Sequence, residues 1–88
     1  MKNLYLKYKM EEAFNRAKED VKNKQNLDAK ALLSVYGLYK QATVGDINIS
    51  CPSIFDPKGR AKWNAWESCK GMTRVEAMSA YVEFVNKL

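Results

Sequence analysis

Apolar positions recur every three to four residues along most of this chain, and no strand pattern competes with the helical one. From Met10 the series Met10, Phe14, Ala17, Val21 traces one helical face, while Glu11, Glu12, Lys18, Glu19 and Lys22 occupy the others. Read as a helix starting at Met10, this places acids in the first turn and Lys22 and Lys24 near the end, as the helix dipole favours. NKQN at 23–26 ends the pattern. The preceding MKNLYLKYKM mixes lysines with Leu4, Tyr5, Leu6 and Tyr8 and is too interrupted by charge for a signal peptide. It reads either as a frayed leader or as an added turn of helix. The expected division is a short leader over 1–9 and one domain over 10–88.

Asp28 is a good N-cap for a second helix through AKALLSVYGLYKQATV, which should stop at Gly45. Gly37 inside it costs about 1 kcal/mol against alanine. It reads either as a tolerated glycine or as a point of close approach for another chain or a ligand. GDINISCPSIFDP over 45–57 lacks helical period and makes a long crossover. Asp56 and Pro57 suit N-cap and N1 of a third helix, KGRAKWNAWESCK, ending at Gly71. Thr73 and Glu76 fit a capping box. The last helix carries Val75, Met78, Val82 and Val85 on one stripe, with Ala77, Tyr81, Phe84 and Leu88 beside it. Four helices with short links and one crossover predict a small all-α bundle.

Eighty-eight residues form one small domain, which buries only roughly 60 to 65 per cent of its unfolded surface and has no room for an enclosed catalytic cavity. With no histidine and no metal-ligand spacing at Cys51 and Cys69, a conventional zinc site and histidine-based nucleophile arrangements are unsupported. Two cysteines without a secretory segment read as free thiols in a reducing compartment, hence a cytoplasmic protein. No apolar run is long enough to span a membrane. The carboxylates are scattered on solvated faces, so no catalytic site is expected.

A net charge of +5 favours anionic partners. Nucleic acid is disfavoured: on the third helix Trp63 and Trp66 leave little free face beside Lys58, Arg60, Lys62 and Asn64, and no nucleic-acid-binding signature appears. An anion with an apolar portion explains more. Tyr36, Tyr39 and Lys40 lie one turn apart on the second helix, as do Lys58 and Lys62 on the third. With Tyr81 from the fourth, three ammonium groups and three phenols can surround one cleft. Lysine serves as a point charge for phosphate, and tyrosine offers a flat surface with a hydroxyl tip. The two tryptophans read as packing residues, Trp63 the deeper of them.

YGLYKQATVGDIN (36–48), KGRAKWNAW (58–66), GMT (71–73) and EAMSAYVEFV (76–85) closely resemble the acyl-CoA-binding protein family, in the same order and with similar spacing. The resemblance runs from about Phe14 to Leu88. It implies an up-down-down-up four-helix bundle that binds and carries fatty acyl-CoA one to one, with no cofactor and no catalysis, as a monomer with transient membrane or enzyme contacts. It implies that Tyr36, Tyr39, Lys40, Lys62 and Tyr81 hold the 3′-phosphorylated adenosine end, with Lys22 and Lys58 as further ligand contacts. Leu32 and Leu33 match the acyl-chain surface. Departures fall at Cys51 and Ile49, which make the crossover more apolar, at Phe84, expected as an exposed ring, and in the leader. The alternative is a helical interaction module docking through the leader and Phe84.

Overall fold

The computed structural model of the chain describes residues 2–88, with side-chain detail from Leu4; Met1, the first residue of the expected leader, lies outside the described residues. Four helices run in order: α1 (Lys2–Asn23), α2 (Ala29–Thr43), α3 (Pro57–Glu67) and α4 (Arg74–Asn86). They form an up-down-down-up bundle. α4 packs on both α1 and α2, and among the described residues α3 packs on α2 alone.

The caps lie where the short polar side chains predict them. Asp28 accepts from the Ala31 amide at 2.8 Å, and Asp56 from the Gly59 amide at 3.0 Å with Pro57 next in line. Thr73 and Glu76 close a reciprocal box at 3.0 and 2.8 Å. Each satisfies amide donors that a helix start leaves without partners, worth about 1 kcal/mol per cap. α2 ends as expected, with Val44 at the C-cap and Gly45 following at φ +99°. A left-handed backbone of this kind is cheapest for glycine.

Two boundaries differ from expectation. α1 begins at Lys2, so Glu11 and Glu12 sit in its middle, and its first turn carries no acid. Residues 2–9 form its opening turns because Leu4 to Lys9 contain neither glycine nor proline to stop propagation. α3 stops at Glu67, and Ser68–Gly71 continue as tight turns through Cys69 to Trp66 and Lys70 to Glu67 backbone bonds.

The core joins Phe14 and Ala17 of α1, Val35 and Ala42 of α2, and Ala77, Tyr81 and Val85 of α4. Val75, expected on the buried stripe, is exposed; the inward face of α4 follows the four-residue spacing 77–81–85 instead. Trp66, and not Trp63, is the deeply buried tryptophan. Both indoles fasten the crossover, Trp66 donating to the Gly45 carbonyl at 2.7 Å and Trp63 to that of Ile49 at 2.8 Å. Trp63 stays half-buried because the crossover that it covers is itself at the surface. Phe84 is likewise half-buried, packed against the core cluster and not an exposed ring.

Gly37 marks the α2–α3 contact. A Cβ there would collide with the backbone carbonyl of Ala65, so the close approach is between two helices of this chain. Gln41 is fully buried and ties the ends of the crossover and the α3–α4 turn together. Its amide donates to Asp46 Oδ1 and to the Met72 carbonyl, both at 2.8 Å. Asp46 Oδ1 also accepts from the Gly71 amide at 2.9 Å.

Candidate functional site

Tyr36, Tyr39 and Lys40 share one face of α2, but the neighbouring helices draw them into two adjoining groups. α3 supplies the first. The Lys62 ammonium lies 5.7 Å from the centre of the Tyr36 ring, and the Lys40 ammonium 4.8 Å from that of Trp66. Gly37 makes this arrangement reachable, since it brings the backbones of α2 and α3 into contact one residue from Tyr36. Neither lysine forms an ion pair among the described residues. An ammonium steadied by a ring face keeps its N–H donors for another acceptor.

α1 and α4 supply the second group. The Tyr39 ring lies 6.2 Å from Phe14, nearly parallel to it, and 6.4 Å from Tyr81. Phe14 and Tyr81 meet at 4.9 Å with their planes tilted by 58°. Such offset and tilted pairs are the favoured aromatic geometries. Burial, and then the neighbouring Tyr39, push the Tyr81 hydroxyl above the usual tyrosine range. It therefore stays protonated and able to donate at neutral pH. A cleft of about 490 Å³ opens over this group, lined by Asn15, Lys18, Glu19, Val21, Lys22, Tyr39 and Tyr81. Lys22 is exposed and bonded to Glu19 at 3.3 Å, an exposed pair that contributes little and leaves the lysine available.

Sequence reasoning missed Lys18 and Asn15 as parts of this surface, and Phe14 as the buried ring behind it. The Lys18 ammonium stands 5.2 Å from the Phe14 ring centre. The four-residue spacing of Phe14 and Lys18 was the available signal, and the partner helix that gives it meaning was not.

The two leucines separate. Leu32 continues the stripe of Tyr36 and Tyr39 at offsets of four and seven and is half exposed. Leu33 instead lines a groove of about 580 Å³ with Leu38, Ala61, Ala65, Cys69 and Phe84. Lys58 is exposed in the first turn of α3, one turn before Lys62, and enters no ion pair or ring contact among the described residues. No described helix is long and apolar enough to cross a membrane, and the described residues contain no metal-holding cluster. Cys51 and Cys69 are both free thiols.

A small helical bundle with an open, lysine-rich and tyrosine-lined face defines a class of ligand-binding protein. The sequence profile of the family described as "Acyl CoA binding protein" matches residues 11–85. The chain belongs to that family. It is 45% identical over 80 residues to acyl-CoA-binding domain-containing protein 3 of Oryza sativa subsp. japonica, covering 90% of this chain and 52% of that protein. The chain thus spans about half the length of that relative. The crystal structure of Oryza sativa acyl-CoA-binding protein 2 superposes with a TM-score of 0.91 at 36% identity, covering 96% of this chain and 92% of the other. That of the acyl-CoA-binding protein from Moniliophthora perniciosa gives 0.79 at 38% identity, over 84% and 74%.

Proposed function

We propose that this chain binds medium- to long-chain fatty acyl-CoA and acts as a buffer and carrier for it, as a cytoplasmic monomer. Residues 10–88 form the binding domain, and 1–9 lie outside it. Lys40 and Lys62 take the 3′-phosphate, with Tyr36 beside them. Tyr39 and Tyr81 face the adenine, and Lys22 and Lys58 meet the remaining phosphates. The acyl chain leaves along Leu32 and the neighbouring α2–α3 surface that includes Leu33.

The observation that carries this reading is the pair of lysines cushioned on aromatic faces without carboxylate partners among the described residues. Two ammonium groups from different helices, beside phenols, suit a phosphate monoester of about −1.5 to −2 charges. The acyl chain supplies the larger share of affinity. At about 0.8 kcal/mol per sequestered methylene, ten contribute roughly 8 kcal/mol before ordering costs.

Calorimetric titration with CoA, octanoyl-CoA, palmitoyl-CoA and free palmitate tests the proposal. One-to-one binding that tightens with chain length and is absent for the free acid is the expected result. No heat with any thioester would overturn it.

A further inference from the structure

α3 and α4 both lean on α2, but among the described residues these two helices do not pack on each other. The groove of about 580 Å³ fills the space between them. α2 lines it with Leu33 and Leu38, α3 and its closing turn with Ala61, Ala65 and Cys69, and α4 with Phe84. Lys30, Ser34, Asn64 and Ser68 give it a polar edge. The groove approaches the lysine-bearing face at its Leu33 end. Tyr36 meets Lys62 and Lys40 meets Trp66, so α2 and α3 run parallel and in step. At Gly37 and Ala65 their backbones touch, which closes the seam between the two helices. One turn toward the helix starts, the same register sets Leu33 beside Ala61, and both line the groove. The α3 side chain at that level is a single methyl. Leu32, the chain neighbour of Leu33, is 50% exposed and shares the stripe of Tyr36.

Resting on the reading that this chain binds acyl-CoA, we infer that the distal part of a long acyl chain crosses the α2–α3 seam at Leu33 and Ala61 and lies in this groove. Cys69 and Phe84, at its far side, then fix how long a chain is accommodated. Three features select this occupant. The groove is continuous with Leu32, so an apolar chain lying on that side chain meets its open end one residue further on. On the lysine side the chain would rest on one helix with water above it, whereas side chains of three helices surround it in the groove, and apolar affinity follows the area removed from water. The polar edge suits a narrow tail. A broad protein partner would have to desolvate Lys30, Ser34, Asn64 and Ser68, and a second copy of a chain with net charge +5 would add like-charge repulsion.

The test compares CoA, octanoyl-CoA and palmitoyl-CoA on the whole chain and two variants. Ala61→Phe places a ring across the seam, and Phe84→Lys places an ammonium in the groove. The native chain should tighten at least about 100-fold from octanoyl-CoA to palmitoyl-CoA, from the further methylenes buried. Each variant should bind CoA within about twofold of the native chain yet lose at least about tenfold of that gain. Amide NMR spectra of the native chain locate the tail without any substitution, and so decide the matter even where a variant unfolds. The shifts that palmitoyl-CoA adds to those of octanoyl-CoA should fall at Leu38, Cys69 and Phe84. Added shifts confined to Leu32 and α1 would overturn the inference, as would an undiminished chain-length gain in both variants. Either result leaves acyl-CoA binding itself standing. Groove shifts that grow with protein concentration and not with ligand would assign the groove to a second copy and overturn it too. No binding by any thioester would remove the acyl-CoA reading and this inference with it.

Discussion

The Lys40 ammonium rests 4.8 Å above the Trp66 ring, whose indole N–H is bonded to the Gly45 carbonyl at 2.7 Å. One buried side chain thereby holds the start of the crossover and cushions a cation of the proposed site. Core and site share a residue, so variants at Trp66 lose both together. Lys40 itself is the better probe.

Lys40→Met keeps the apolar stem and removes the charge. Losing charge-assisted bonds to phosphate should weaken acyl-CoA binding about 10- to 100-fold. Folding should change by less than about 1 kcal/mol, the scale of an exposed cation–π contact. Calorimetry with palmitoyl-CoA and its 3′-dephospho analogue checks the assignment. The native chain should discriminate between the two ligands, and the variant should not.

Tyr81 separates packing from contact. Tyr81→Ala opens a hole beneath Phe14 and Tyr39 and should cost about 3–5 kcal/mol, by analogy with other large aromatic truncations. Tyr81→Phe keeps the ring and removes only the hydroxyl. It should leave the urea midpoint nearly unchanged while weakening ligand binding about tenfold. Equal affinity for the native and Phe forms would remove the hydroxyl from the site.

Much of this fold is legible from local chemistry. Asp28, Asp56 and the Thr73–Glu76 pair announce helix starts because a cap bond closes within three residues, and Gly45 announces an end for a similar reason. What the sequence conceals depends on partners distant along the chain. Trp63 and Trp66 look alike on α3, and only the path of the crossover decides that Trp66 is covered. Val75 fits an apolar stripe, but α4 leans on α1 and α2 through Ala77, Tyr81 and Val85. The grouping of Tyr36 with Lys62, and of Tyr39 with Tyr81, likewise needs the packing of α2 against α3 and α4.

Gly37→Ala sets two effects against each other. Intrinsic propensity favours alanine by about 1 kcal/mol within a helix. The new methyl would meet the Ala65 backbone carbonyl, which cannot rotate away as a side chain can. Forcing α2 and α3 apart should cost about 1–3 kcal/mol beyond the propensity gain. Net destabilisation in urea unfolding is the expected result, accompanied by weaker acyl-CoA binding because Tyr36 and Lys62 separate. A stabilised variant would show that α2 and α3 do not approach this closely.

Asp46 gives the chain an acid-side weakness. The Gly71 amide, and then the Gln41 side chain, hold its carboxyl below the usual aspartate range. A group whose folded pKa is depressed stabilises above its unfolded value, about 3.9 for aspartate. That contribution fades as the pH falls through the folded value. Asp46→Asn should therefore lower Tm at neutral pH, yet lose less on acidification from about pH 5 to pH 3 than the native chain. Parallel Tm profiles would mean that the Gly71 bond does not form in solution.

The two thiols should behave as different chemical groups despite their common residue type. Cys51 is exposed on the crossover. Cys69 is buried beside the Leu33–Phe84 groove, its Sγ 3.6 Å from the Ala65 carbonyl, and burial raises its pKa above the usual thiol range. Because the thiolate is the reactive form, exposure favours Cys51, and burial with a raised pKa disfavours Cys69. A disulfide-exchange reagent at neutral pH should modify one thiol per chain quickly and the second only as the bundle opens. Peptide mapping should assign the fast site to Cys51, and Cys51→Ser should abolish the fast phase. Long-chain acyl-CoA that binds the folded state should slow the second phase further, by lowering the population of open chains. A fast reaction at Cys69 in the native chain would mean that the groove beside α3 opens far more readily than its packing implies.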